Sequence, residues 1–354
     1  MELENKLHTI DGESLMNIPL KPVNFIVDSL LSQGLHILAG SPKAGKSWLA
    51  LWLSVMIAKG EAAWGMSVKQ GETLYLCLED SVLRIQNRLF EITEDAPASV
   101  HFCTESQTLG KGLDQQLEDF ITVHSDAVLI IIDTLQMIRG STYENTYAND
   151  YRDLSILKGI ADRHEIAILL IHHLRNEMSN DVFNRISGTT AISGAVDSSF
   201  TLIENRRGSG TATLFCIGRD IEYRELAIKR DDDNIRNLVS DSRGPSTLPE
   251  EQVVSHIVKL MESRTNYIGT PTELCMQIDP AGLGQITPKK VKRQLLQNVE
   301  KLRTHGIFFT IRRSNGKRLI DLRHTESVDS ADFTGVSETD PIGTDGCSQP
   351  HFSS

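Results

Sequence analysis

Three observations predict an α/β fold built on a parallel sheet with helices on both faces. Short continuous apolar runs alternate with stretches of helical spacing from about residue 34 to residue 173. One run, Leu35–Ala39, passes through Gly40-Ser-Pro-Lys-Ala-Gly-Lys-Ser47 into an apolar stretch of helix length, Trp48–Ala58. Later runs end in chemically capable side chains: Glu79-Asp80, Asp133 and His172-His173. Alternation of this kind belongs to strands joined by helical crossovers, and such sheets bind ligands at the C-terminal ends of their strands.

The Gly40–Ser47 octet matches G-x-x-x-x-G-K-[ST], and its flanks supply the strand and the helix start that the pattern needs to be a phosphate site. Gly40 and Gly45 permit turns that a Cβ would block. The amides of Ser41, Pro42-Lys43-Ala44, Gly45 and the first helical residues through Trp48 are candidates to surround phosphate oxygens, proline contributing no N–H. Lys46 brings a cation to the β- and γ-phosphates, and the Ser47 hydroxyl is a hard ligand for Mg²⁺.

Taken in order, residues 1–33 are a lead-in, where Pro19 and Pro22 rule out a long helix. Thr73–Leu78 is a second strand. Ser81–Thr93 has helical spacing, with Val82, Ile85, Leu89 and Ile92 on one face. Val100–Cys103 is a strand and Gly112–Val123 a helix. Ala127–Ile132 is the strongest strand signal, terminated by Asp133. Asp150–His164 is a helix and Ile166–Ile171 another buried strand. The polar segments 140–150 and 175–195 read as loops. Ser198–Ile203 and Thr211–Ile217 form a hairpin around Arg206-Arg207-Gly208-Ser209-Gly210, and Glu222–Lys229 is a further strand.

Residues 34–230 therefore form the core, and 231–249, with Gly244-Pro245 and Pro249, read as a linker. Over 250–325 the pattern gives helices at Glu250–Glu262, from Pro271, and from Thr287-Pro288 to Leu302. A hairpin, Ile307–Arg313 with Lys317–Leu322, follows. Three helices and a hairpin make a winged-helix domain, a module used on DNA and also for protein contacts alone. Residues 326–354 are rich in Ser, Thr and Asp, and read as a disordered acidic tail.

Composition is that of a globular protein, 40% apolar and 23% charged over 354 residues. The acidic start lacks the apolar stretch of a signal peptide, and no apolar run reaches bilayer length, so a cytoplasmic protein without membrane contact is expected. Five scattered cysteines without a C-x-x-C are read as reduced thiols. The net charge of −11 is unevenly spread: residues 251–325 carry +7 and residues 326–354 carry −6. A basic module attached to an acidic core points to DNA through the cations Lys289, Lys290, Lys292 and Arg293 of the third helix and Arg312 and Arg313 of the hairpin.

Hydrolysis needs a carboxylate that orients the attacking water. Thr134 stands directly after Asp133, where AAA+ proteins carry that group, so Glu79 at the end of the neighbouring strand takes the role. Gly40–Ser47, Leu76-Cys-Leu-Glu-Asp80, Ile130-Ile-Ile-Asp-Thr134 and Ile171-His-His173 together resemble the RepA-type hexameric replicative helicases of plasmids and mobile elements, which are RecA/DnaB-like ATPases. The resemblance covers about residues 24–230. It implies an ATP- and Mg²⁺-dependent ring that translocates on single-stranded DNA, with Glu79 catalytic, Asp133 on Mg²⁺, and His172 or His173 sensing the γ-phosphate. Capped histidines packed at a strand end are the alternative for the last pair. Such rings complete each site with an arginine from the next subunit; Arg219 is the first candidate, Arg206 and Arg207 the second.

Two departures stand beside the resemblance. The candidate channel loops offer only Arg175 and Arg185 as cations for single-stranded DNA, and the C-terminal module goes beyond compact plasmid-type members. The expected partners are single-stranded DNA, duplex DNA, identical subunits in a hexamer, and a replication initiator or primase. A DNA-tethered ATP switch without unwinding activity is the rival reading.

Overall fold

The structure, a computed structural model, describes residues 9–18, 22–139, 147–174, 182–186, 190–206, 208–243, 249–279, 286–314 and 317–324. The chain divides into two compact units. One is Val23–Ser246; the other joins Met1–Pro22 to Thr247–Ser354.

The chain opens with α1 (Gly12–Asn17), part of the second unit. The larger unit then runs through β1 (Phe25–Val27), β2 (Leu31–Ser32), β3 (Gly34–Gly40), α2 (Lys46–Lys59), β4 (Glu72–Cys77), α3 (Val82–Ile92), β5 (Val100–Cys103), α4 (Leu113–Val123), β6 (Ala127–Asp133), α5 (Tyr147–His164), β7 (Ala167–His173), α6 (Thr190–Ala195), β8 (Ser198–Glu204), β9 (Thr211–Gly218), β10 (Arg224–Arg230) and β11 (Arg236–Asp241). Nine of these strands form one mixed sheet in the order β11-β10-β9-β8-β3-β7-β6-β4-β5. From β8 to β5 all neighbours are parallel; from β8 to β11 all are antiparallel.

The continuous apolar runs have a direct cause, since the parallel strands are covered on both faces. Leu38, Leu129, Ile131, Leu169 and Ile171 pack on the α2 side. Their neighbours Ile37, Ile130, Ile132, Ile168 and Leu170 pack with α4 and α5 on the other. Helix α2 is buried nearly all round, which explains its lack of a polar stripe. In the antiparallel half β9 alternates, with Ala212, Leu214 and Cys216 inward, as a sheet covered on one face should.

Two sequence expectations change here. The stretch read as a linker forms β11, paired with β10 from Leu226↔Asp241 to Arg230↔Arg236. Its burial is sparse, so periodicity gave no signal. Val82, assigned to the apolar face of α3, is 69% exposed, and Ile85 and Ile92 carry the packing.

The second unit continues with α7 (Pro249–Glu262), β12 (Asn266–Gly269), α8 (Pro271–Ile278), α9 (Pro288–Gln297), α10 (Val299–Thr304), β13 (Ile307–Ser314) and β14 (Lys317–His324). Its sheet has the order β12-β14-β13, antiparallel throughout. Thr270 and Glu273 close a reciprocal cap on α8, and Thr287 with Pro288 starts α9. The expected single helix from 287 to 302 is divided at Asn298, whose side chain turns back onto Gln294 O at 2.9 Å. Val253, Ile257, Leu274, Val291, Leu295 and Ile320 are among the residues of its separate core. Helix α1, capped by Asp11, sets Glu13 beside Arg313 (3.1 Å) and Arg318 (3.5 Å).

Candidate nucleotide-binding and hydrolysis site

The parallel strands bring their C-terminal ends to one edge of the sheet. Strand β7 lies between β3 and β6, so His172 and His173 fall between the Gly40 loop and Asp133; the register pairs Ala39 with His172 and Gly40 with His173. Strand β4 follows on the far side of β6, with Cys77 opposite Asp133, and carries the chain to Glu79.

The loop from Gly40 to Gly45 turns through two left-handed residues, Lys43 (φ 65°) and Gly45 (φ 86°). Ser41, Pro42 and Lys43 are exposed, whereas Ala44 is buried. A Cβ at Gly40 would come within 3.0 Å of Leu202 O and 3.1 Å of the Lys46 stem. The Lys46 amine is buried inside the loop and donates to Gly40 O at 2.9 Å and Ser41 O at 3.1 Å. Burial holds its pKa below the usual lysine value, against the opposing charges of Asp133 and Glu79.

Asp133 is 5% exposed. Burial raises its carboxyl pKa, partly offset by hydrogen bonds from Ser47 and from Tyr75, whose hydroxyl donates to Oδ2 at 2.9 Å; the Glu79 charge raises it further. Ser47 and Asp133 thus form an adjacent pair of hard oxygen donors, a set that fits Mg²⁺. Thr134, joined to Asp133 by a cis peptide, donates through Oγ1 to Glu79 Oε1 at 2.9 Å. His172 is buried, and His173 Nδ1 is buried without a hydrogen-bond partner among the described residues. Trp48, in the first turn of α2, is half-buried beside the Arg88 guanidinium, which lies 5.6 Å from its ring.

Three contributors escaped sequence reasoning. Arg236 of β11 is 5% exposed and donates through Nη2 to Ala44 O, bracing the loop from behind; a Cβ on Gly45 would meet that nitrogen at 2.6 Å. In the sequence Tyr75 carries only a strand signal, and Thr134 only leaves the position after Asp133 without a carboxylate. No motif signals Arg236, which follows the loop by 192 residues.

The late arginines separate by edge. Arg219 follows β9 at the edge opposite the loop, where Nη1 donates to Asp197 Oδ1 at 3.0 Å and Nη2 to Gly194 O at 3.2 Å. Arg206 lies in the β8–β9 turn, at the loop edge, and is exposed; Lys229 and Arg230, also exposed, end β10 at the same edge. Arg207 and Arg175 lie outside the described residues, as do 140–146, 187–189 and the tail from 325. Arg185 follows β7 in a single 3₁₀ turn, with its Nε buried.

Of the cations assigned to DNA, Lys289, Arg293, Arg312 and Arg313 are exposed and Lys290 is half-buried. Lys292 differs. It is 8% exposed and donates to Met16 O of α1 at 2.9 Å, because the inward face of α9 turns it toward the N-terminal helix. Among the described residues no helix is long and apolar enough to cross a membrane.

Comparison with known proteins agrees with this geometry. The family described as an AAA domain matches residues 4–179. A DnaB-like replicative helicase, solved in a study of its interactions with primase, is similar at TM-score 0.50 and 10% identity, over 67% of this chain and 68% of that one. The RadB recombinase is similar at TM-score 0.42 and 17% identity, over 58% of this chain and 90% of that one. No curated protein matches by sequence. The phosphate loop, the Ser47–Asp133 oxygen pair and Glu79 sit on a fold shared with a DnaB-like helicase, and together with the family match these findings support a P-loop ATPase of RecA-like fold.

Proposed function

We propose that this ATPase is a hexameric DNA helicase of the RepA type, driven along single-stranded DNA by ATP hydrolysis in the replication of a plasmid or mobile element. The observation that carries the reading is Glu79, in the turn after the strand beside Asp133 and held by Thr134, within electrostatic reach of Lys46. Lys46 holds the β- and γ-phosphates, Ser47 and Asp133 hold Mg²⁺, and Glu79 orients the attacking water. Mg²⁺ held by Ser47 and Asp133 would supply positive charge to offset the negative charge developing on the phosphates. His172 or His173, at the end of the strand between the loop and Asp133, reports the state of the γ-phosphate to the sheet.

The trans cation of such a ring is drawn from the loop edge. Arg206 is the first choice, because Arg219 is occupied by Asp197 at the other edge. The C-terminal unit acts as a winged helix: Lys289, Lys290 and Arg293 of α9 and Arg312 and Arg313 of β13 serve duplex DNA, while Arg175 and Arg185 serve the single strand. Identical subunits and a replication initiator or primase are its partners in the cytoplasm. A forked duplex tests the reading: ATP-dependent strand separation is expected, and Glu79→Gln should bind ATP yet lose on the order of a hundredfold or more in turnover. ATP hydrolysis without strand separation under any fork geometry would reject it.

The small number of cations in the candidate channel loops favours a second reading, a DNA-tethered ATP switch that binds duplex through the C-terminal unit. It predicts slow hydrolysis, no unwinding, and DNA binding that changes between ATP and ADP.

A further inference from the structure

At the sheet edge away from the phosphate loop, three side chains converge that the hydrolysis chemistry leaves unused. Glu72 opens β4, His101 is the second residue of β5, and His124 ends α4 just before β6. Glu72 Oε2 lies 2.7 Å from His101 Nε2 and 2.6 Å from His124 Nδ1. One ligand atom from each residue falls within 4.8 Å of the others.

The surroundings fix the two rings. The imidazole centroids are 4.3 Å apart. Phe120 stacks on His124 at 4.3 Å and 25°, and meets His101 edge-on at 5.4 Å and 73°. The cluster therefore has an aromatic wall on one side. The side chains of Glu72, His101 and His124 are 28%, 29% and 26% exposed, so water and ions reach it from the other.

Both imidazoles turn a ring nitrogen toward one carboxylate oxygen, so each can present a lone pair to a common centre beside that carboxylate. Two imidazole nitrogens and one carboxylate oxygen are a donor set suited to zinc-like ions. Bonds of about 2.0–2.2 Å in tetrahedral array place ligand atoms roughly 3.4 Å apart. Glu72 need retreat by less than about 1 Å to admit the ion, which a half-exposed side chain at the start of a strand can do by rotamer adjustment.

We propose that Glu72, His101 and His124 form a binding site for a divalent transition-metal ion of the zinc class, with water completing the tetrahedron. The ion would tie β5, which has β4 as its one neighbour in the sheet, to the end of α4 and the start of β4. The site lies at the sheet edge opposite the phosphate loop.

Full-length protein stripped with chelator and kept free of nucleotide provides the test. Titration with Zn²⁺ by calorimetry should give one ion per chain, and Co²⁺ should give the visible absorption of a tetrahedral nitrogen–oxygen site. Zn²⁺ should also raise Tm. Glu72→Gln still accepts both imidazole N–H groups but is a poor metal ligand, so it should fold, bind ATP as before and lose at least about tenfold in Zn²⁺ affinity. His101→Gln and His124→Asn should lose as much. No stoichiometric binding by the wild type, or undiminished binding by Glu72→Gln and both histidine variants, would overturn the proposal; the first leaves a proton-held cluster, the second an ion bound elsewhere.

Discussion

Thr134 Oγ1 donates to Glu79 Oε1 at 2.9 Å, so the residue after Asp133 positions the carboxylate in the turn that follows β4. In the proposed mechanism, the task that an acidic side chain directly after Asp133 would perform falls to that carboxylate. Thr134→Val keeps the volume and deletes the donor. Turnover should fall about tenfold to a hundredfold with little change in the KM for ATP, since orientation and not phosphate binding is lost. Steady-state kinetics decide it, and an unchanged kcat would remove Thr134 from the site.

Arg236 supports the phosphate loop through Ala44 O from a strand nearly two hundred residues away. Arg236→Met should raise the KM for ATP several-fold while leaving kcat within about twofold, a loss of binding shared by ground and transition states. Gly45→Ala should be more severe, because the residue sits at φ 86° and its new Cβ would collide with the same guanidinium. Fluorescent-nucleotide titration of both variants separates the two effects.

Asp133 should limit the stability of the nucleotide-free protein. Burial raises its pKa above the ordinary carboxylate value, so the folded chain holds that proton more readily than the unfolded chain. Its contribution to stability is full below the unfolded pKa and is lost as pH rises through the folded one. Asp133→Asn should therefore raise Tm near pH 8 more than near pH 4, while hydrolysis drops on the order of a hundredfold or more. Thermal melts at the two pH values check the sign; an equal shift at both would show that the carboxylate charge is not the cause.

Much of this site was legible because each element carries its own signature. Gly40–Ser47 is a contiguous pattern, and Asp133 and His172-His173 terminate apolar runs that two-sided burial demands. What escaped depends on pairing between distant segments. Strand β11 has an irregular burial pattern and a register shift against β10, so neither alternation nor composition marks it. The Glu72 cluster draws on residues 29 and 52 positions later, spacings that match no ligand motif. Lys292 looked like its neighbours in sequence because helical phase alone does not say that α1 covers that face of α9.

Arg206 and Arg219 should give opposite phenotypes. Arg206→Ala should bind ATP and lose turnover, and mixing it with Glu79→Gln should restore part of the activity through interfaces that hold both intact residues. Arg219→Ala breaks a half-exposed ion pair with Asp197, worth about 1 kcal/mol or less, and should leave turnover nearly intact. Rescue by Arg219→Ala instead of Arg206→Ala would restore the ranking that the sequence suggests.

Glu13 lies against Arg313, a cation of the proposed DNA face, and against Arg318, its cross-strand neighbour. Glu13→Gln in the full chain should tighten duplex binding at low salt, with the gain shrinking as salt screens the pair. Lys289→Ala with Lys290→Ala should weaken binding and flatten its salt dependence. Fluorescence anisotropy at two salt concentrations tests both; if neither substitution changes affinity, the basic unit serves protein contacts.

The pairing of Met1–Pro22 with Thr247–Ser354 in one unit makes the ATPase core an insertion within the smaller unit. During synthesis α1 leaves the ribosome before the core, yet its partners Lys292, Arg313 and Arg318 are made after it. The core can close while α1 still waits, since domains fold as they emerge. A helix translated ahead of the core therefore finds its place after the core does, and a nascent chain halted before residue 292 holds a finished core without the partners of α1.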